Sequence, residues 1–337
     1  MLSQQTSRWF RLLALSGTLL AAGVIVLGAW VRLTDAGLGC PDWPGCYGHI
    51  YPQASAATQL EHFSKALHEM IHRYFATSLG AIITVLLIWA VVRRKDPGQP
   101  LAPVALLFGV VCLQGALGAF TVTLLLKPLI VTAHLLGGLS TLGLLWWISL
   151  APPRGALSDR EADLRVWALV GIAVLVMQIA LGGWTSANYA AVACPDFPTC
   201  QGSWWPHMDF SDAFVLWRGL GIDYEGGVLA HPARVAIHFT HRLGAAFTGV
   251  VLLTLGITAA VRARGLRLKL AGGLLSLAVL LQISLGVATV EWGVPLTLAT
   301  LHNAGAVLLV LSMVNLLRAL WPPAHCMLPL SGVDRTQ

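Results

Sequence analysis

The residues equipped for chemistry lie in two short stretches, Glu69-Met70-Ile71-His72-Arg73 and His238-Phe239-Thr240-His241-Arg242, and each opens a long apolar run. Ionisable groups at the mouth of a membrane-spanning helix are costly to place there, so a functional role is the default expectation. Two more histidines, His134 and His302, lie in later apolar runs, within Thr132-Ala133-His134 and Thr300-Leu301-His302. His72 and His134 fall about four and five residues into spans entered from the same side, so at 1.5 Å per helical residue their depths match. His241 and His302 repeat the arrangement, with a sequence separation that differs by one residue. Two imidazoles on facing helices at one depth are what axial ligation of a haem iron in a helical bundle requires. The bland alternative, a histidine hydrogen-bonded to a neighbouring helix, accounts more easily for one such residue than for four in a repeated frame.

Carboxylates discriminate between the two stretches. Of the fifteen Asp and Glu, only Glu69 sits on a histidine-bearing face inside a span, and only Glu291 approaches one. Glu69 precedes His72 by three residues and shares its face, whereas its counterpart in the second stretch is His238. That difference suggests a reacting site in the first half and an electron-transfer site in the second. Arg73 and Arg242 are candidates for bidentate contact with haem propionates, or for snorkelling to the interface. His68 and His238, within one turn of His72 and His241, could substitute as ligands or hold a propionate. His49, His62, His207 and His231 read as solvated loop residues. The runs beginning Gln114-Gly115, Gln178-Ile179 and Gln282-Ile283, each ending in Gly four residues on, read as helix-packing surfaces rather than ligand contacts.

The elements that must position these groups follow from composition. The chain has 337 residues, 56% hydrophobic and 11% charged, with mean hydropathy +0.73, against roughly 25% charge in soluble domains. Eight segments, near residues 12–31, 68–92, 102–123, 129–150, 165–186, 234–261, 270–290 and 296–320, can each cross a hydrocarbon layer that takes about 20 helical residues. The first is too long for the core of a removable leader and reads as a span. Net charge +6 does not indicate a nucleic-acid partner. Arg8, Arg11, Arg93, Arg94, Lys95, Arg154, Arg160, Arg165, Arg262, Arg264, Arg267, Lys269 and Arg318 gather at one set of helix ends, which the positive-inside rule makes cytoplasmic, with both termini. Loops 32–67 and 187–233 then lie outside. Cys40 and Cys46 fall in the first and Cys194 and Cys200 in the second, while Cys112 is mid-span and Cys326 inside. Pairs confined to the oxidising side favour disulfides over zinc, since the six-residue separation is not a usual ligand spacing.

The chain is also a tandem repeat. Cys40-Pro41-Asp42-Trp43-Pro44-Gly45-Cys46 matches Cys194-Pro195-Asp196-Phe197-Pro198-Thr199-Cys200, and Gly28-Ala29-Trp30 matches Gly182-Gly183-Trp184. Four spans per half give both halves the same orientation, hence an all-α membrane protein of two four-helix bundles related by a pseudo-twofold axis along the membrane normal. The halves are 1–150 and 165–337, joined by a polar, proline-containing linker at 151–164. Trp204, Trp205, Pro206, Phe210, Phe214 and Trp217 read as an aromatic cluster on the bilayer surface.

Together, the eight spans, Glu69-x-x-His72-Arg73, His134, His241, His302 and the loop cysteines resemble the haem A synthase family over nearly the whole chain. The resemblance implies a membrane oxidoreductase of the bacterial inner membrane that converts haem O to haem A for cytochrome oxidases. It implies haem b held between His241 and His302, and haem O received at His72 and His134 with Glu69 beside the methyl group to be oxidised. It ties the Cys40–Cys46 pair to function. Expected partners are haem O, haem O synthase as its source, cytochrome oxidase assembly, the lipid bilayer and further copies of the chain. Two other readings stay open at this point: a non-catalytic membrane cytochrome b relaying electrons from quinol, and a transporter with a histidine proton relay.

Overall fold

The computed structural model describes residues 7–53, 60–151, 161 and 163–321; most of the expected linker, with Arg154 and Arg160, and Cys326 lie outside them. Helix is the only extended secondary structure among the described residues. In chain order the helices are α1 (Arg8–Leu33), α2 (Leu60–Val92), α3 (Leu101–Thr123), α4 (Pro128–Ser149), α5 (Leu164–Ala187), the short α6 (Phe210–Ala213), α7 (His231–Arg262), α8 (Leu266–Glu291) and α9 (Leu296–Leu320). All but α6 are long and apolar enough to cross a membrane.

The two histidine-bearing helices that follow the long loops start earlier than the hydropathy of the sequence suggests. α2 has 33 residues and α7 has 32, roughly 50 Å each at the helical rise and well beyond the hydrocarbon layer. Beyond their polar first turns each helix packs against its own disulfide loop. Ala66 and Met70 bury against Cys40 and Cys46, and Val235 against Cys194 and Cys200. Both expected disulfides are formed, Cys40–Cys46 and Cys194–Cys200, and Cys112 is a free, exposed thiol on α3.

Within the first half α1 packs on α2 and α4, and α3 on α2 and α4; within the second, α7 packs on α5 and α8, and α9 on α5 and α8. The halves meet through α1–α9, α4–α5 and α4–α9. Arg32 reaches across to donate to the Ser186 carbonyl at 2.6 Å and lies over the Tyr189 ring. The Tyr189 hydroxyl donates to Asp35 at 2.6 Å, and partial burial followed by that contact raises the Tyr189 pKa. On the same side Lys127, between α3 and α4, is buried with its ammonium donating to the Gly219 carbonyl and lying over the Trp217 ring.

Burial is stratified along the helices. One apolar core, built from residues such as Phe10, Leu86, Leu107, Leu145, Leu252, Leu275 and Met313, joins both halves at the end that carries the start of α1. At the opposite end lie the small clusters under the loops. His72, His134, His241 and His302 occupy the layer between, where side chains are only half-buried.

Candidate functional site

α2 carries the first constellation. Glu69 is 4% exposed; its Oε1 meets Nη2 of Arg73 at 2.5 Å, and its Oε2 accepts the Cys40 main-chain N–H at 2.8 Å. Nη1 of Arg73 donates to the carbonyls of Gly45 at 2.6 Å, Asp42 at 3.0 Å and Pro44 at 3.3 Å. The disulfide loop is therefore folded around the guanidinium, with the carboxylate closing the remaining side.

Arg242 does the same on α7. It donates to the carbonyls of Cys194 at 2.6 Å, Asp196 at 2.7 Å and Thr199 at 2.8 Å, and its Nε approaches Nε2 of the buried His238 at 3.4 Å. In this structure the donors of both arginines engage loop carbonyls, a use the sequence reading did not anticipate beside propionate contact and snorkelling. A bare loop carbonyl near a membrane needs a donor, and a planar fork with several N–H groups serves three at once.

Each loop has a second organiser. Asp42 accepts from the N–H groups of Tyr47 at 2.6 Å and Gly48 at 2.8 Å. Slight desolvation opposes its charge, but those N–H groups and Arg73 outweigh it and hold its pKa below the ordinary carboxylate value. Asp196 accepts from the Thr199 hydroxyl and from the N–H groups of Gly202 and Gln201, which depress its pKa in the same way.

The four histidines come together in two pairs. His72 lies close to His134, as His241 does to His302. Every one of these rings packs edge-on against a glycine of the preceding long helix. A Cβ would sit 2.9 Å from Cε1 of His72 at Gly28, 3.5 Å from that of His134 at Gly118, 3.2 Å from that of His241 at Gly182 and 3.0 Å from that of His302 at Gly286. The small-residue runs read as packing surfaces are thus also the walls behind the imidazoles. Nδ1 of His72, His134 and His302 is buried without a hydrogen-bond partner.

These features fit a planar iron macrocycle. Paired imidazoles backed by glycine, in a half-buried layer between the apolar core and the clusters under the disulfide loops, are residues that could hold such a group. Among the described residues no group of three or more His, Cys, Asp or Glu could hold a bare metal ion. His68 is half-buried beside Glu69, and His49 and His207 are exposed in the loops as expected, while His62 and His231, expected in loops, are exposed but helical, in the first turns of α2 and α7. In the aromatic cluster Trp204, Trp205, Phe210 and Trp217 are exposed, but Pro206 is buried.

Sequence reasoning passed over three glutamines. Gln114, Gln178 and Gln282 each project across a helix interface onto a histidine. The signal was present as Gln-x-x-x-Gly, three times, each before a histidine-bearing span.

The family model described as cytochrome oxidase assembly protein, COX15-CtaA, matches residues 11–314. A heme A synthase of Shewanella oneidensis is 42% identical over 329 residues, covering 93% of this chain and 96% of that protein. Heme A synthases of Caulobacter vibrioides and Flavobacterium psychrophilum are 29% and 24% identical, over 85% and 88% of this chain. With histidine pairs, loop disulfides and eight spans within one match of nearly full length, the chain belongs to the COX15-CtaA family, that of the heme A synthases.

Proposed function

We propose that the chain is a haem A synthase, which takes the methyl group of haem O through two successive two-electron oxidations, to an alcohol and then a hydrate. The four electrons leave to an acceptor outside the chain and the two oxygen atoms are supplied by water or dioxygen; the hydrate loses water and leaves the formyl group of haem A. In this reading residues 1–150 form the substrate bundle, with His72 and His134 flanking haem O. Residues 165–337 form a second bundle in which His241 and His302 hold haem b, whose iron supplies one-electron chemistry when bound.

The observation that carries the reading is the buried Glu69, which shares the His72 face and has no acidic counterpart in the repeat. Arg73 and the Cys40 N–H stabilise its carboxylate form against desolvation. Held there, Glu69 takes a proton from the reacting carbon or stabilises positive charge developing on it. The glycine-backed imidazoles would hold and orient the macrocycle, and the loop clasped by Arg73 keeps Glu69 in place beside it. The basic helix ends would be cytoplasmic and the disulfide loops outside, in a bacterial inner membrane. The product would serve cytochrome oxidase assembly, with haem O synthase as source of substrate.

The quinol-relay reading accounts for the histidines but gives Glu69 no task, and the relatives bear the name heme A synthase. The test is Glu69→Gln in full-length protein supplied with haem O. Haem b absorbance should persist while conversion stalls; haem A formed at the wild-type rate overturns the assignment.

A further inference from the structure

Three of the four histidine positions share a device that the fourth lacks. On α3 the amide of Gln114 donates to the main-chain carbonyl of His134 on α4 at 2.8 Å. On α5 the amide of Gln178 donates to the carbonyl of His241 on α7 at 3.1 Å and stands 3.0 Å from that ring's Nδ1. On α8 the amide of Gln282 lies 3.3 Å from Nε2 of His302 on α9. Each glutamine precedes by four residues the glycine that backs the ring, Gly118, Gly182 or Gly286.

A second glycine completes the fit. Gly137, Gly244 and Gly305 each follow their histidine by three residues, and a Cβ at any of them would collide with the amide oxygen of the same glutamine. The glutamine thus sits in a notch one turn beyond the histidine. The amide oxygens of all three are buried without a donor, so the side chains are held by shape and by the contact of the amide nitrogen.

The α1–α2 pair departs at both places. Val24 stands where the glutamine would be, four residues before Gly28, and Phe75 stands where the notch glycine would be, three after His72. Neither side chain can hydrogen-bond. Phe75 is exposed. The polar ties of this turn of α2 run outward to the loop, through Glu69 and Arg73 to Cys40, Asp42 and Gly45. At the level of the His72 ring α1 and α2 are held by apolar packing and the contact of the ring with the Val24 main-chain carbonyl, without the side-chain amide that adds an interhelical hydrogen bond at the other three positions.

We propose that the Gln–Gly clamps make His134, His241 and His302 fixed ligand positions, and that His72, on the one unclamped helix pair, is the ligand that yields when substrate arrives and product leaves. The inference rests on the reading of these histidines as haem ligands. Only a coordinate bond is made or broken, so no electron or proton balance changes. The three glutamines act as positioning residues, through the histidines they hold. A fixed partner on the other side keeps the macrocycle located while the His72 side opens. The second site, clamped on both sides, retains its haem.

The test is haem transfer from full-length protein in detergent, both sites loaded, to excess apomyoglobin, followed in the Soret band. Wild type should release haem in two phases, the faster one absent from His134→Ala and the slower one absent from His302→Ala. Val24→Gln with Phe75→Gly, which builds the fourth clamp, should slow the fast phase by about threefold, the effect expected of one interhelical hydrogen bond. Should that double variant not fold, Gln114→Leu tests the same site in the opposite sense and should accelerate the fast phase. Gln178→Leu should accelerate the slow phase and shift the low-spin EPR signal of that haem, since the ring loses its orienting contact. Equal release from both sites in wild type, or a slow phase and EPR signal untouched by Gln178→Leu, overturns the proposal. Haem content unchanged in both His134→Ala and His302→Ala would instead show that the ligand reading has failed.

Discussion

The main-chain N–H of Cys40 donates to the Glu69 carboxylate at 2.8 Å, so a disulfide residue and the one buried acid of the first site share a hydrogen bond. Breaking the Cys40–Cys46 bridge frees the donor to move. Cys40→Ser with Cys46→Ser should lower haem O conversion and leave haem b absorbance intact, at a stability cost of about 2 kcal/mol for so short a closed loop. The matching change at Cys194 and Cys200 should weaken haem b retention instead. Product analysis beside pyridine haemochrome spectra checks both; equal effects on both haems would refute the assignment of one loop to each site.

Arg73 should matter more to stability than a surface arginine does. Arg73→Met leaves the Glu69 charge buried and three loop carbonyls without their donor, a situation that costs about 3–5 kcal/mol when a buried pair is broken. Adding Glu69→Gln should recover part of the loss, because the stranded charge is then gone. Unfolding midpoints of the three variants in one detergent decide the matter, and strictly additive effects would exclude the coupling.

The glycines behind the imidazoles should respond unequally to alanine. Gly28→Ala and Gly286→Ala place a methyl 2.9 and 3.0 Å from ring carbons of His72 and His302, and overpacking of this kind costs about 1–3 kcal/mol. Gly118→Ala, at 3.5 Å from His134, is ordinary contact and should be tolerated. Haem content per protein is the readout.

Acid should loosen the second loop through Asp196. Its native pKa is depressed by the Thr199 hydroxyl and the Gly202 and Gln201 N–H groups, so its contribution is present above the unfolded-state value and is lost as pH falls through the native one. Near-UV circular dichroism from Trp204 and Trp205 should therefore fade at pH below the normal aspartate range. Asp196→Asn should show a weaker signal with less dependence on acid.

Much of this architecture is legible in the sequence, because a bilayer imposes length and polarity on every span. The eight helices, the two disulfides and the pairing of His72 with His134 and His241 with His302 all follow from apolar run length, compartment and repeat spacing. The starts of α2 and α7 do not, since hydropathy marks only the apolar run, whereas each helix continues outward past it through exposed polar residues such as His62 and His231. Arg73 and Arg242 clasping their loops was equally hidden, because a guanidinium near an interface has several partners that sequence ranks alike. Lys127 is the sharpest case: an isolated basic residue between two spans, it is buried under Trp217 by a loop some ninety residues away.

Arg32 with Ser186, and Asp35 with Tyr189, are each 154 residues apart, the same offset that separates Cys40 from Cys194. The α1–α9 and α4–α5 contacts exchange places under the same correspondence. Counterparts that touch each other are what an axis passing between them produces, and the proposed axis runs along the membrane normal. Two sites related in that way stand at one height. An electron passing between them would travel sideways, perpendicular to the transmembrane field, so the membrane voltage would do no work on it. Turnover in energised and de-energised vesicles should then proceed at the same pace.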